Sequence, residues 1–198
     1  MILTVGAYKG GTGKTTTSVM LALQFARSGP TVLVDADRQG SASTWHREAM
    51  RKGYAWPESL TVVGWHEPMT LPPVRHVVID CGPGDPDRFR AAMRMSDTVI
   101  VTAGARIADA VQLGATVGDV EKVAAERPLE WGVLMTLVRL RTRAASTVTT
   151  SIETADLPLL RTIVPSLQRY ADAFGTVPER FDAYVDVLGE IKGGSDAR

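Results

Sequence analysis

Short, continuous apolar runs alternate with longer stretches of mixed polarity along most of the chain. Valine, isoleucine and leucine dominate the short runs, as they do in parallel strands that are buried on both faces of a sheet. The pattern predicts strands over 2–7, 31–34, 61–65, 75–79, 98–102, 130–138 and 161–164. It predicts helices over 16–27, 41–51, 85–95, 107–126 and 179–191. Strands that alternate with helices predict a single doubly wound α/β domain, 1–198, with a mostly parallel sheet.

The end of the chain predicts a packed helix followed by a tail. We expect the apolar face of helix 179–191 to pack on the core; it consists of Phe181, Tyr184, Val185 and Leu188. The polar face carries the acidic residues Asp182, Asp186 and Glu190. A helix that lies on a membrane surface is basic on that face, so a membrane tether is not expected. Residues 192–198 are predicted to form a flexible tail.

Composition narrows the class of protein without naming a function. The chain has 22 basic and 22 acidic residues, so no global field draws it to nucleic acid or to a membrane. Its single cysteine, Cys81, excludes an internal disulfide and predicts a reducing, cytoplasmic location. It also argues against an iron–sulfur cluster, which needs several thiolates. We identify no signal peptide, no apolar run long enough to span a bilayer, and no metal-ligand spacing among the histidines.

One glycine-rich stretch carries clear chemistry. Residues 9–16 read Lys-Gly-Gly-Thr-Gly-Lys-Thr-Thr and lie between the first predicted strand and the first predicted helix, which is expected to begin at Thr16. Glycines 10, 11 and 13 allow backbone N–H groups to curl around an anion, and the helix start adds unpaired N–H groups. Lys14 then reaches the phosphates, and the Thr15 hydroxyl can bind Mg²⁺. The alternative is a chance glycine-rich turn.

The loop departs from the standard phosphate-binding pattern in an informative way. That pattern requires glycine at position 8, where this chain has Tyr8, followed by Lys9 and the pair Gly10-Gly11. The stretch resembles the deviant Walker A loop of ParA/MinD-type ATPases, closest to small stand-alone ParA partition ATPases of the Soj/ParF kind. The resemblance implies a P-loop NTPase fold in which Lys9 reaches across a dimer interface to the partner's nucleotide.

The resemblance also implies which residues of the loop bind ATP or ADP. They form one uninterrupted run: Lys9, Gly10, Gly11, Thr12, Gly13, Lys14, Thr15 and Thr16. Within this run the family assigns the catalytic charges to the two lysines and the contact with Mg²⁺ to Thr15.

Acidic residues follow two of the predicted strands. Asp35 and Asp37 come at the end of the second strand, and Asp80 follows the predicted strand 75–79. The carboxyl ends of parallel strands are where α/β proteins open their ligand crevices. By the resemblance, Asp35 organises the Mg²⁺ shell, Asp37 orients or activates the attacking water, and Asp80 is the Walker B acid, which supports Mg²⁺ through water. Arg38 stands where the family has proline. The alternative is a solvated strand end with surface acids.

Contacts to the base and to DNA are expected later in the chain. Thr136 lies where the family places an adenine contact, and Val164-Pro165 resembles the family's segment beside the base. Arg139, Arg141 and Arg143 occupy alternate positions after a predicted strand, with Arg127, Arg161 and Arg169 expected nearby. ParA-type proteins hold non-specific DNA with basic residues in this half of the chain, so the three arginines are candidate DNA contacts. The alternative is a solvated surface loop.

These features together predict a Mg²⁺-dependent ATPase. By the resemblance, ATP joins two subunits, and the dimer positions or segregates DNA or another cargo through non-specific DNA binding. Such a protein is cytoplasmic and nucleoid-associated when it is bound to ATP, and its slow hydrolysis is stimulated by a ParB-like or cargo-adaptor protein. Two alternatives stay open: a membrane-associated positioning ATPase of the MinD kind, and a nucleotide-dependent scaffold with negligible turnover.

Overall fold

The computed structural model describes residues 1–195, without the side chains of residues 107–111 and 194–195. Its strands are β1 (Ile2–Gly6), β2 (Thr31–Asp35), β3 (Leu60–Gly64), β4 (His76–Asp80), β5 (Thr98–Ala103) and β6 (Glu130–Met135). Its helices are α1 (Lys14–Ala26), α2 (Ser41–Arg51), α3 (Pro86–Met95), α4 (Ile107–Glu126), α5 (Arg143–Thr154), α6 (Gln168–Asp172) and α7 (Ala183–Ser195).

The six strands form one parallel sheet in the order β3-β2-β4-β1-β5-β6. β2, β4 and β5 are buried along their whole length, which explains their continuous apolar sequences. In the register of the sheet, Asp35 of β2 lies beside Asp80 of β4, and Asp80 lies beside Val5 of β1. The two acids therefore meet directly below the loop that follows β1, as expected for the carboxyl edge of a doubly wound sheet.

Helices cover both faces of the sheet and create two apolar cores. One core joins α1 and α7 to one face, with Phe25, Trp45 and Tyr184 among its largest buried side chains. The other core joins α3, α4 and α5 to the opposite face around Phe89, Met93 and Val120. α1 is buried at nearly every position because it packs on the sheet and is covered in turn by α7. The predicted doubly wound α/β fold is confirmed.

The predicted strand 161–164 is wrong. The chain around this segment runs beside β6 but pairs at isolated bridges that flank residues 161–164, Leu159 with Val133 and Pro165 with Val138. The reason is a carboxylate on α7: Glu190 accepts the backbone N–H groups of Arg161 and Thr162 at 2.8 and 2.7 Å. Those amides are therefore unavailable to β6, which itself ends at Met135 rather than at residue 138.

Two helices were not predicted, and the last helix has a different phase. α5 is rich in threonine and serine, which have weak helix propensity, but Thr142 caps it by accepting the amide of Ala145. α7 begins at Ala183 and buries Tyr184, Val187 and Ile191, whereas Val185, expected on the packed face, is 56% exposed. α7 continues through Ser195, so residues 192–195 of the predicted tail are helical; residues 196–198 lie outside the described residues.

A glycine beneath the loop gives a test of this packing. A Cβ atom on Gly6, the last residue of β1, would lie 2.7 Å from Cδ2 of the buried Phe89 ring on α3. Because the ring has no free space to move into, we expect Gly6→Ala to lower the free energy of unfolding by about 1–3 kcal/mol. Gly64→Ala is the matched control, since a Cβ at the end of β3 meets no atom within 4 Å. Equal stability of the two variants in urea denaturation would contradict this packing.

Candidate phosphate-binding site

The loop between β1 and α1 has the backbone conformation that its glycines permit. Gly11 and Gly13 have φ angles of 73° and 74°, in the left-handed region that residues with a Cβ rarely adopt. Gly13 is the N-cap of α1, and its carbonyl accepts the first helical bond from the amide of Thr17 at 2.9 Å. The loop therefore presents backbone N–H groups and the positive end of the helix dipole at one point.

The sequence predicts that the first helix begins at Thr16, and this prediction is wrong. α1 begins two residues earlier, at Lys14, because the left-handed conformation of Gly13 ends the loop there. Lys14, Thr15 and Thr16 therefore form the first turn of α1, where the helix supplies no acceptors for backbone N–H groups. The side chains of Thr15 and Thr16 are half-buried. This turn carries the last three residues of the run expected to bind the nucleotide.

Buried threonines hold this loop from below. The hydroxyls of Thr12 and Thr102, on the loop and on β5, lie 2.8 Å apart. The hydroxyl of Thr136, just after β6, donates to the carbonyl of Thr12 at 2.6 Å. Thr136 is 1% exposed, so its side chain supports the loop backbone from inside the fold. This contact joins residues 124 positions apart, and no sequence pattern predicted it.

Lys14 places a buried positive charge under the loop. Its side chain is 6% exposed, and its ammonium group donates to the carbonyl of Lys9 at 2.7 Å. Burial lowers the pKa of Lys14, while the nearby carboxylates of Asp80 and Asp37 act in the opposite direction and favour the charged form. A cation that has already lost its water shell binds an anion with little further desolvation.

Asp80 is the buried acid of the site. Its Oδ1 accepts the Ser18 hydroxyl at 2.9 Å, whereas its Oδ2 has no hydrogen-bond partner in the described part of the chain. Burial raises the pKa of Asp80 to about 7, and Asp35 adds to the rise, while the hydroxyls of Thr15 and Ser18 oppose it. A buried carboxylate oxygen without a partner is costly unless another group completes it.

Asp35 shapes the start of α2 rather than standing free at the strand end. Its Oδ2 accepts the amide of Ser43 at 2.7 Å, and its Oδ1 accepts the amide of Asp37 at 3.2 Å. The described residues contain no group of three or more His, Cys, Asp or Glu that could hold a metal by itself. Thr15, Asp35 and the unpaired oxygen of Asp80 nevertheless offer the hard oxygen ligands that suit Mg²⁺, which commonly takes only one or two carboxylates plus phosphate and water.

Asp37 lies beyond β2, on the mouth of a cavity of about 230 Å³. The cavity is lined by residues 11–16, Thr16 included, by Asp37 and Ser41, and by Pro83. Asp37 Oδ1 accepts the amide of Gln39 at 2.9 Å, which fixes the carboxylate on its own turn. The structure thus brings together the predicted phosphate and metal residues at one place: Lys14, Thr15, Thr16, Asp35, Asp37 and Asp80.

A second cavity of about 480 Å³ opens on the other side of the loop. Lys9, Gly10 and Gly11 form one wall, and the remaining lining residues come from the ends of β5 and β6 and from the segments after them: Gly104, Ala105, Arg106, Leu137, Arg139, Thr142, Ala144 and Ser166. The two lysines of the loop therefore have different surroundings. Lys14 is buried beneath the loop, whereas Lys9 lies at its outer wall and is only half-buried.

The residues expected beside the base are placed unevenly around this second cavity. Thr136 lies under the loop, and Val164 is 1% exposed in the core. Pro165 is half-buried and pairs with Val138. Their neighbours Leu137 and Ser166 line the cavity instead. Leu137 has a φ of 54° and is 42% exposed, an unusual conformation for an apolar residue.

The three candidate arginines for DNA are all exposed, but they do not share one strand. Arg139 lines the second cavity, Arg141 has a φ of 63°, and Arg143 is the first residue of α5. The other arginines expected nearby have separate roles. Arg127 donates to the carbonyls of Met93 and Ser96, just before the start of β5 and away from the carboxyl ends of the strands. Arg169 pairs with Asp182. No helix in the described residues is long and apolar enough to cross a bilayer.

Tyr8 is a contact residue whose role the sequence did not indicate. Its hydroxyl donates to Asp119 on α4, its amide donates to the Thr116 hydroxyl at 3.2 Å, and its ring packs edge-on against Phe89. Hydrogen bonds from Tyr8, Lys122 and Arg90 hold the pKa of Asp119 at about 2. Tyr8 occupies the position where the standard phosphate-binding loop has glycine, and its contacts attach the start of the loop to α4.

Comparison with solved structures supports the fold. A candidate plasmid partition protein of Borrelia burgdorferi B31 bound to AMPPNP has a TM-score of 0.78 at 18% identity, covering 98% of both chains. An ATP complex of a variant of McdA from Cyanothece has a TM-score of 0.74 at 14% identity, covering 95% of this chain and 96% of that one. Cobyrinic acid a,c-diamide synthase from Mycobacterium smegmatis, with ADP and magnesium, has a TM-score of 0.71 at 19% identity, covering 98% and 96%.

Sequence comparisons identify the family. One curated protein, maintenance of carboxysome distribution protein A of Gloeobacter kilaueensis, is 62% identical over 37 residues. That match covers 19% of this chain and only 17% of the relative's length. The family model described as the CobQ/CobB/MinD/ParA nucleotide binding domain matches residues 3–176, which is most of the chain. The chain therefore belongs to the CobQ/CobB/MinD/ParA nucleotide binding domain family.

Proposed function

We propose that this protein is a Mg²⁺-dependent ATPase of the ParA type, which dimerises on ATP and uses the cycle to position or segregate a cargo. The observation that carries the proposal is the different placement of the two loop lysines. Lys14 is buried and serves its own phosphate cavity, whereas Lys9 lies on the outer wall, open to a second molecule. A phosphate site formed by a single subunit needs only Lys14.

The phosphate chain of ATP would lie in the 230 Å³ cavity along the N–H groups of residues 10–16, with those of Thr15 and Thr16 supplied by the first turn of α1. Lys14 would exchange its hydrogen bond to the Lys9 carbonyl for the phosphate oxygens. Thr15, Asp35 and Asp80 would hold Mg²⁺, which neutralises charge on the phosphate oxygens when it is bound.

The base would lie in the 480 Å³ cavity, between Leu137 and Ser166. Thr136, Val164 and Pro165 would support this cavity from inside the fold, because they come just before the lining residues Leu137 and Ser166 in the chain and are more buried. The nucleotide would thus pass over the loop from one cavity to the other.

Hydrolysis would use Asp37 and the partner's copy of Lys9. Water attacks the γ-phosphorus, the bond from that phosphorus to the bridging oxygen breaks, and ADP leaves with the electron pair. Asp37 at the cavity mouth would orient this water and accept its proton. Lys9 of one subunit would stabilise the charge on the phosphoryl group bound by the other, as an arginine finger does. Loss of the γ-phosphate would remove that contact and release the dimer.

Relatives suggest the kind of cargo. The structural neighbours include plasmid partition proteins, and the curated relative maintains carboxysome distribution. Exposed Arg139, Arg141 and Arg143 would give the dimer weak, sequence-independent DNA binding. The protein would then be cytoplasmic and nucleoid-associated in its ATP state, and a ParB-like or cargo-adaptor protein would accelerate its slow hydrolysis.

Two substitutions separate binding, dimerisation and turnover. We expect Asp37→Ala to keep ATP-dependent dimers but to lose turnover about 100-fold or more, because it removes the group that orients water. We expect Lys9→Ala to bind ATP normally but to lose both dimers and turnover. Light scattering with ATP and a phosphate-release assay measure these properties, and Lys14→Ala is the control that abolishes ATP binding. Normal dimers and hydrolysis in Lys9→Ala would refute the cross-subunit role.

DNA binding should depend on nucleotide and on salt. With three phosphate contacts per subunit, the slope of log affinity against log salt is expected to be about −2.7 per subunit and about −5 for a dimer. Replacing both Arg141 and Arg143 with glutamine should weaken binding of any duplex sequence and reduce the slope by about 1.8 per subunit. Fluorescence anisotropy with a slowly hydrolysed ATP analogue tests this. Unchanged affinity for DNA would exclude these arginines as DNA contacts. Binding to anionic liposomes, and not to DNA, would favour a membrane-positioning role.

Thr136 offers a test of how the base side is built. Thr136→Val keeps the shape of the side chain but removes the hydroxyl that donates to the Thr12 carbonyl. Because this bond holds the loop, we expect ATP, GTP and ADP affinities to fall together by about threefold to tenfold. Competition titrations of the three nucleotides measure this. A selective change in ATP against GTP would instead show that Thr136 acts on the base.

A further inference from the structure

The two acidic segments that flank the phosphate cavity are joined to each other by side chains as well as by the sheet. We define the first acidic segment as residues 35–40 and the second as residues 80–85. Their backbones meet where the amide of Ala36 donates to the carbonyl of Asp80 at 2.9 Å. Beyond that point neither segment belongs to a strand, so the sheet no longer fixes the distance between them.

Arg38 and Asp85 bridge the gap. Arg38 Nε donates to Asp85 Oδ2 at 2.8 Å, and the same carboxylate lies 3.7 Å from Arg88 Nε on α3. Arg88 connects this carboxylate back to the first segment, because its Nη1 donates to the carbonyl of Ala36 at 3.1 Å. The bridge therefore links residues 36 and 38 of the first segment to the start of α3. The pKa of Asp85 is lowered chiefly by its hydrogen bond from Arg38, so the carboxylate stays charged.

Asp37 lies against the second segment, next to this bridge. A Cβ atom on Gly82 would lie 2.5 Å from Asp37 Cγ and 2.9 Å from Asp37 Cβ, so the carboxylate group occupies the space of a missing side chain. Gly82 is not among the glycines with positive φ, and alanine could adopt its backbone conformation. The three nearest atoms to such a Cβ all belong to Asp37, so Asp37 leaves no room for a larger residue there. The end of β2 holds the backbone of Asp37 through Asp35, and the second segment borders its carboxylate.

We propose that Arg38 is a positioning residue, whose bridge to Asp85 holds Asp37 over Gly82 at the mouth of the phosphate cavity. This inference rests on the proposed role of Asp37 in hydrolysis. Arg38 stands where the pattern that the segment resembles has a proline, whose ring would stiffen the turn covalently. Here a charged pair across two segments supplies the restraint. The bridge touches neither the loop nor Lys14, so it acts on turnover and not on ATP binding.

A double-mutant cycle at Arg38 and Asp85 tests the bridge. Arg38→Gln removes the charge, and Asp85→Asn removes the partner charge but keeps an oxygen for the α3 cap, where Asp85 accepts the amide of Arg88. We expect each to lower kcat by about threefold to tenfold, with ATP affinity within about twofold of the parent protein. The double variant should be no slower than the slower single variant, because both changes break one interaction.

Arg51→Gln is the matched control. Arg51 is 68% exposed and pairs with Glu48 at 2.8 Å, whereas Arg38 is 73% exposed and pairs with Asp85 at the same distance. The Arg51 pair lies within α2, away from the cavity, so its loss should leave kcat unchanged. A kcat for Arg38→Gln equal to that of Arg51→Gln, or multiplicative losses in the double variant, would overturn the inference.

Two further measurements keep the outcome decisive. Gly82→Ala leaves the bridge in place but takes the space of Asp37, so it should also lower kcat without changing ATP affinity. Hydrogen exchange of residues 36–40 and 82–85, without nucleotide, should be faster in Arg38→Gln than in Arg51→Gln. If the parent protein does not hydrolyse ATP, or if Asp37→Ala hydrolyses it normally, the proposed function fails, and exchange still decides whether Arg38 holds the segments. Equal exchange in the two arginine variants would overturn the bridge itself.

Discussion

The site depends on keeping one buried ammonium group charged in an apolar fold. Lys14 lies almost entirely inside the protein, where burial alone favours the neutral form. Asp80 and Asp37 counter that tendency, but Asp80 is itself fully buried and holds its proton more tightly than an exposed acid. The charges are therefore incompletely balanced without a ligand. In the proposed function, a polyphosphate and a divalent cation would complete the balance, which would explain why such a costly cluster is built where three strands end.

The position of the loop follows from the same constraint. Glycines allow its tight curvature, but a threonine of β5 and another just after β6 fix its height above the sheet, and Tyr8 fixes the direction in which it leaves β1. The contacts come from three directions and involve side chains that are mostly buried. A loop held in this way has lost most of its conformational freedom before any ligand arrives, so binding needs little further ordering.

Local features of the fold and site could be predicted from the sequence, and long-range contacts could not. The loop, Asp35, Asp37 and Asp80 were predicted because each follows directly from a strand ending, and parallel strands end at one edge. The bond from Thr136 to Thr12 and that from Tyr8 to Asp119 join distant residues whose types are unremarkable in their own surroundings. α5 was missed because threonine favours strands and caps over helix interiors. The phase of α7 was missed because its apolar residues allow more than one face.

The carboxylate of Glu190 has a consequence for the integrity of the sheet. β6 is an edge strand, and its outer side is covered by the irregular segment around residues 158–165. Glu190 holds that segment by accepting the backbone amides of Arg161 and Thr162. α7 therefore helps to cover the edge strand β6, although α7 itself does not pair with β6. An uncovered edge strand with free backbone groups is a template for pairing with another chain. Shortened forms of this protein that lack the last helix would therefore be expected to expose β6 to pairing with another chain, in addition to uncovering α1.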